Sequence, residues 1–213
     1  MKVKILKREF IDKDHYLLWV ERPKDYNYKP GQFTYIESTI NNNKVRRFYS
    51  FASHPEEENL LFYIKRVPNG LMSNYLAEIP LGSTIEIGNP MGHFTLDRAD
   101  TDRVIFIGAG TGIAPIRPLT IEAVKQNKKV IVVHQERYKH LLVFRDLFEQ
   151  LPIIYIPILS KEQSEYHGHV QDYIDRLIYN DATYYICGSR QFVIEIANLL
   201  KSKGINKIVI EAF

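Results

Sequence analysis

The sequence of 213 residues holds one cysteine, Cys187, and one tryptophan. A lone thiol forms no intrachain disulfide and cannot supply the thiolate set of an iron-sulfur cluster, so the fold rests on its core and any redox centre is of another kind. Long apolar runs are missing too. None approaches the roughly 20 residues that span a bilayer, and the lysine-rich start leads into alternating, strand-like sequence without an apolar signal core, so no membrane span is expected and the cytoplasm is the expected compartment. Charge of one sign is also lacking: 28 Lys and Arg stand against 25 Asp and Glu, for a net +3. With no basic stripe interleaved with aromatics, no nucleic-acid partner is expected. The seven histidines include no helical His-x-x-x-His pair with an acid, so no metal site is expected.

What is present fits an ordinary globular protein, with 45% hydrophobic and 25% charged residues. A length near twice the common domain size favours two domains. The first half alternates with period two between frequent turns, at Lys2 to Phe10, His15 to Val20, Gln32 to Glu37, Arg46 to Ser53, Asn59 to Arg66 and Thr84 to Gly88. Only Leu71 to Glu78 reads as a helix there. The expectation is an antiparallel β-barrel over residues 1–97. From 98 to 213 the rhythm becomes apolar strand, turn, amphipathic helix, with helices expected at Ala114 to Gln126, His140 to Gln150, His169 to Ile178 and Gln191 to Lys203. That alternation implies right-handed crossovers and an α/β doubly wound parallel sheet. A site between the two domains is expected, because ligands of open parallel sheets lie beyond the carboxyl ends of the strands.

Two segments carry chemistry. The run Val104 to Pro115 leads an apolar strand into Gly108, Gly110 and Gly112, followed by a helix whose first position suits Pro115, where a missing N–H is no loss. Glycines allow close backbone approach, and free N–H groups at a helix start favour an anion such as a pyrophosphate. Ile113 stands where a third glycine of G-x-G-x-x-G would fall, so this is not the usual dinucleotide spacing. In the first half, Arg47, Tyr49 and Phe51 share one face of a strand, and Phe48 and Ser50 the other. A planar guanidinium suits pyrophosphate, a tyrosine suits a flat ring or ribose, and a serine can hydrogen-bond a ring nitrogen.

With these motifs the chain resembles the ferredoxin-NADP reductase superfamily, and within it the bacterial ferredoxin/flavodoxin-NADP reductases. The resemblance rests on Pro30-Gly31-Gln32-Phe33, on Arg47-Phe48-Tyr49-Ser50 for R-x-Y-S, and on Tyr63 to Val67 followed by Gly70-Leu71-Met72-Ser73. It also rests on Gly110 to Pro115, on Cys187-Gly188 and on Glu211-Ala212-Phe213. It implies an FAD-binding barrel before an NAD(P)-binding domain. It places FAD on Arg47, Phe48, Tyr49 and Ser50, on the backbone of Ile64, Lys65 and Arg66, and on Gly70, Leu71, Met72 and Ser73 at a helix start. It places the nicotinamide dinucleotide on Gly110, Thr111, Gly112, Cys187 and Gly188.

Ser50, Cys187, Glu211 and Phe213 are the implied catalytic set, with Ser50 at flavin N5 and Phe213 covering the ring. The segment Val133 to Tyr138 resembles V-H-x-x-R-Y of the bacterial reductases, which makes Arg137, with Ser160 and Lys161, a 2'-phosphate site. Lysine in place of arginine at 161 loses the fork, and Glu136 is a rival acceptor for an unphosphorylated ribose, so NADPH and NADH both stay open. The implied activity is electron transfer from NAD(P)H through FAD to a separate acceptor such as ferredoxin, flavodoxin or another redox protein, by a monomer. Alternatives are an NAD(P)H:flavin reductase, the reductase component of an oxygenase, or a non-catalytic FAD-binding regulatory subunit.

Overall fold

A computed structural model describes residues 1–213. Its first lobe is an antiparallel six-stranded sheet in the order β4-β3-β6-β1-β2-β5. The strands are β1 (Lys2–Phe10), β2 (His15–Val20), β3 (Phe33–Ile40), β4 (Asn43–Ser50), β5 (Leu60–Lys65) and β6 (Thr84–Ile87), with helix α1 (Leu71–Glu78) between β5 and β6. The sheet rolls into a barrel whose edges meet just beyond β4, where the Ala52 amide donates to the Leu61 carbonyl (2.8 Å). Inward residues such as Ile5, Leu18, Ile36, Phe62 and Ile85 fill the barrel, and α1 plugs one end with Met72 and Leu76.

The hairpin β3–β4 starts earlier than the alternation from Arg46 indicates. Asn41 and Asn42 take φ of 49° and 62°, the pair of positive angles that a tight two-residue hairpin turn needs. Pairing then runs without a slip from Ile40–Asn43 to Phe33–Ser50, which fixes the face on which each β4 side chain emerges.

The second lobe is a parallel sheet in the order β11-β10-β7-β8-β9. Its strands are β7 (Arg103–Ala109), β8 (Lys129–Glu136), β9 (Ile154–Leu159), β10 (Ala182–Gly188) and β11 (Ile208–Ala212). The helices are α2 (Ile113–Lys125), α3 (Arg145–Gln150), α4 (Val170–Tyr173) and α5 (Arg190–Ser202). Two expected helices are shorter than their sequence suggests. His140 to Gln150 is broken by Phe144, whose φ of 69° stops helical propagation, and α4 tightens after Tyr173 into a 3-10 turn at Ile174–Leu177. Pro115 falls in the first turn of α2 rather than at its first residue.

The lobes share a core. One apolar cluster joins Leu17, Leu61, Tyr63, Phe94 and Leu96 of the barrel to Val104, Phe106, Ile116, Leu119 and Tyr185 of the parallel sheet. The Tyr185 hydroxyl donates to the Thr95 carbonyl across the junction (2.9 Å). At the rim, Arg117 of α2 donates to the Ala52 carbonyl (2.7 Å) and the Glu57 carboxylate (2.6 Å), and His54 Nε2 lies 3.1 Å from Glu122. The carboxyl ends of β7 and β10 therefore face the barrel at a fixed distance. No helix is long and apolar enough to cross a membrane.

Candidate active site

Arg47 to Ser50 close strand β4 at the barrel rim. Arg47 is exposed, donates only to the carbonyl of Arg46 (2.7 Å) and meets no carboxylate. Its neighbour Arg46 is already used, paired with Glu37 (2.8 Å) and lying over the Tyr35 ring. Tyr49 is half-buried with its ring edge toward Phe62, and burial raises its phenol. Phe48 emerges on the other face, edge-on to Phe33 and 60% exposed, an unusual place for so large an apolar ring.

The start of α1 is open. Gly70 offers no side-chain cap, so the first-turn amides lack intrahelical partners. The surrounding polar groups are turned to bracing instead: the Ser73 hydroxyl accepts from the Val67 amide (3.1 Å), and Asn74 Nδ2 donates to the carbonyls of Val67 (2.9 Å) and Gly70 (2.6 Å). The Arg66 guanidinium pairs with Asn74 (2.9 Å) and Glu78 (2.5 Å), so its side chain staples β5 to α1. What remains at the helix start is a group of N–H donors at the positive end of the dipole, suited to phosphate oxygens.

From the other lobe comes the turn between β7 and α2, a short 3-10 segment at Gly110–Gly112. Gly110 has φ of 58°. A Cβ on Gly112 would lie 2.3 Å from the Cys187 carbonyl oxygen, so only glycine lets this turn rest on the end of β10. β7 and β10 are adjacent, and the chain winds outward in both directions from them, so this is the switch point where open parallel sheets bind ligands. Cys187 is fully buried there, and burial, reinforced by the charge of Glu211, pushes its thiol up, so it is not an activated thiolate. Burial also raises the Glu211 carboxyl to about 7. The Phe213 amide donates to the Gly188 carbonyl (3.2 Å), which leaves the ring 63% exposed.

These pieces meet in one cleft of about 770 Å³ between the lobes. Arg47, Phe48, Tyr49, Ser50, Ile64, Lys65, Gly70, Leu71, Met72 and Ser73 line it from the barrel, and Thr111, Glu211 and Phe213 from the parallel sheet. Apolar walls, an unpaired arginine and an uncapped helix start fit a flat aromatic ring joined to a pyrophosphate. Phe33, Tyr63, Val67 and Ala114 also line the cleft, although the motifs point to their neighbours; all four lie inside those motifs, and that position was the available signal.

Gly112, Cys187 and Gly188 lie behind the cleft wall rather than on it. Arg137, Ser160 and Lys161 form a separate group past the ends of β8 and β9, tied by the Ser160 amide to the Glu136 carbonyl (2.9 Å) and the Lys161 amide to the Arg137 carbonyl (3.0 Å). Arg137 and Lys161 are exposed, whereas Glu136 is buried.

Two family models match end to end: an oxidoreductase FAD-binding domain over residues 2–96 and an oxidoreductase NAD-binding domain over residues 106–198. The chain belongs to the ferredoxin-NADP reductase-like family. Within this family it is 29% identical over 217 residues to a flavodoxin/ferredoxin-NADP reductase of Rhodobacter capsulatus, covering 88% of this chain and 80% of the relative. A flavohemoprotein of a Burkholderia species is 27% identical over 220 residues, covering 94% of this chain but 56% of its own length. The chain thus spans little more than half of that relative. Among solved structures, a ferredoxin NADP+ reductase from Neisseria gonorrhoeae with bound FAD and NADP superposes with a TM-score of 0.93 over 100% of this chain and 98% of that one. At 20% identity this likeness speaks for the fold of the reductase-like pair of lobes.

Proposed function

We propose that this reductase-like chain is an FAD-dependent oxidoreductase that moves a hydride between NAD(P)H and flavin and passes electrons to a separate acceptor such as ferredoxin or flavodoxin. The observation that carries this reading is the single cleft into which both lobes deliver their binding residues. Residues 1–97 would hold FAD and residues 98–213 the dinucleotide. Bound flavin would supply the redox chemistry, accepting two electrons as a hydride and releasing them singly or in pairs. The chain's part is geometry: the uncapped start of α1 and Arg47 would hold the pyrophosphate, and Tyr49 and Phe213 would enclose the ring. Ser50 would offer a hydroxyl toward N5, and Thr111 would line the nicotinamide's place once Phe213 moves aside, close enough for the hydride to pass directly. Glu211, lining the same cleft, would stand beside the nicotinamide. Arg137, Ser160 and Lys161 give cationic and hydroxyl donors for a 2'-phosphate, which favours NADPH, and the inward-turned Glu136 removes the main argument for NADH. The site asks for no second copy of the chain, and the reading places it in the cytoplasm as a monomer.

The test is anaerobic stopped flow on protein loaded with FAD: NADPH bleaches the flavin band in a saturable phase, and ferredoxin, flavodoxin or free FMN restores it. Protein that never binds FAD, or bound FAD that neither nicotinamide bleaches, overturns the reading. Loss of reduced flavin into solution would point to a flavin reductase instead.

A further inference from the structure

Three buried side-chain atoms near the cleft have no hydrogen-bond partner, and all belong to one place: the Tyr63 hydroxyl, His134 Nε2 and Glu136 Oε1. Tyr63 comes from β5 of the barrel, whereas His134 and Glu136 come from alternate positions of β8, facing the shared core. Relative exposures are 4%, 0% and 7%, so these groups sit in the seam between the lobes, away from solvent. His134 Nε2 and Glu136 Oε1 are 3.9 Å apart, and the other ring nitrogen of His134 lies 3.1 Å from the Tyr155 hydroxyl. Burial keeps His134 neutral, down to about 3.

Burial likewise raises Glu136, to about 8, against the opposing pull of the Arg137 amide and of the Lys65 and Arg137 charges. The groups facing it are Tyr63 and Lys65 from β5, Asp12 from the β1–β2 turn, Tyr155 from β9, His134 from its own strand and Arg137 just past the strand's end. Asp12 is itself engaged by His15 (3.0 Å) and His140 (3.4 Å). No cation is seated against the Glu136 carboxyl, and an unpaired charge at that depth is strongly disfavoured. The protonated acid is different: it has a hydroxyl to donate to His134 Nε2, 3.9 Å away, and a carbonyl oxygen to accept from the unpartnered Tyr63 phenol. Phe144 adds a second sign of tension at this spot, a bulky residue at φ of 69° placed edge-on to Tyr63.

Tyr63 and Lys65 also line the cleft, so whatever holds Tyr63 sets that wall. We propose that Glu136 is a proton-operated positioning residue: carrying its proton it holds Tyr63, and with it the Tyr63–Lys65 wall of the cleft, against the opposite lobe, and on losing the proton it releases that wall. The ionised carboxylate then turns toward Lys65, the nearest cation on the barrel side, and the seam admits water. The assignment of the cleft to two cofactors bears only on what the wall serves, because the arrangement is present in the chain itself.

The experiment uses cofactor-free protein. Amide hydrogen exchange of residues 63–66 and 134–136 is followed as pH is raised from about 6 to about 9, with the intrinsic base catalysis divided out. In the wild type the corrected rates are expected to climb, by up to about tenfold per unit while Glu136 titrates, and in Glu136→Gln to stay level. Equal corrected profiles in the two proteins overturn the proposal. The wild type alone supplies a second measurement, the titration of the Glu136 side-chain carboxyl carbon by NMR. A midpoint far above the ordinary 4.5 supports the proposal, and one at that value overturns it. Protein that fails to bind FAD would remove the proposed function while leaving either result intact.

Discussion

At the scale of single residues, environment rather than identity assigns the roles. Arg46 and Arg47 are neighbours of the same type, yet Glu37 occupies the first and nothing occupies the second. Arg47→Ala is therefore expected to weaken FAD by roughly 10–100-fold, the worth of about 1.5–3 kcal/mol for hydrogen bonds to a charged group, measured by flavin fluorescence titration. Arg46→Ala leaves that affinity unchanged in the same titration. Ser50 has a hydroxyl with no partner in the protein, so Ser50→Ala is expected to slow flavin bleaching by about 2–10-fold with little change in FAD affinity.

Glu211 makes a pH prediction. Its folded value is raised to about 7 by burial. Above that pH the carboxylate is charged and stabilises the positive charge that grows on nicotinamide as hydride leaves, so the rate of flavin reduction is expected to rise through about 7. Glu211→Gln flattens that limb, and a limb that persists in the variant excludes Glu211 as its source. For stability the sign is opposite. A raised carboxyl stabilises the fold below its unfolded value, and that contribution is lost as pH rises through about 7.

At the scale of elements, the turn between β7 and α2 is the most constrained piece. Gly112→Ala sets a Cβ against the backbone of Cys187, where neither partner can rotate away. A loss of roughly 1–3 kcal/mol and a weakened dinucleotide complex are expected, read by thermal melting and by titration. Gly110 has open space beside it, and Gly110→Ala meets only the strain of its positive φ. Elements whose pattern is local are legible in the sequence. Period-two alternation located the barrel strands, and the strand-turn-helix rhythm located the parallel sheet. Elements that one residue breaks for reasons of packing are not legible. Phe144 keeps the helix from starting before Arg145, because its ring is drawn to Tyr63 and the Arg117 guanidinium, contacts made across the lobe boundary. The early start of β4 depended on the Asn41-Asn42 turn, whose positive angles local hydrophobicity does not report.

At the scale of the whole molecule, the lobes act as one rigid frame because their cores merge and their rim is clasped. Arg117 is the centre of that clasp, largely buried and bonded to both a carbonyl and a carboxylate of the barrel. Arg117→Ala is expected to cost about 1–3 kcal/mol, below the range for a fully buried pair because Glu57 is partly solvated. Its consequence at the cleft is a higher KM for the dinucleotide, since donor and acceptor surfaces on separate lobes lose their fixed spacing. Steady-state kinetics alongside a melting curve checks both parts, and an unchanged KM with a lowered Tm would confine Arg117 to stability.

The sequence by itself determined the two-lobe order, the antiparallel and parallel sheets, and most of the residues that line the cleft, because these depend on periodicity and on short motifs that act through their own backbone. Tertiary structure alone decided which of those residues share a surface. It set Arg137, Ser160 and Lys161 apart from the cleft, sank Cys187 behind it, and turned Glu136 into the seam against Tyr63. Burial and charge pairing are properties of residues distant in the chain, and no local pattern carries them.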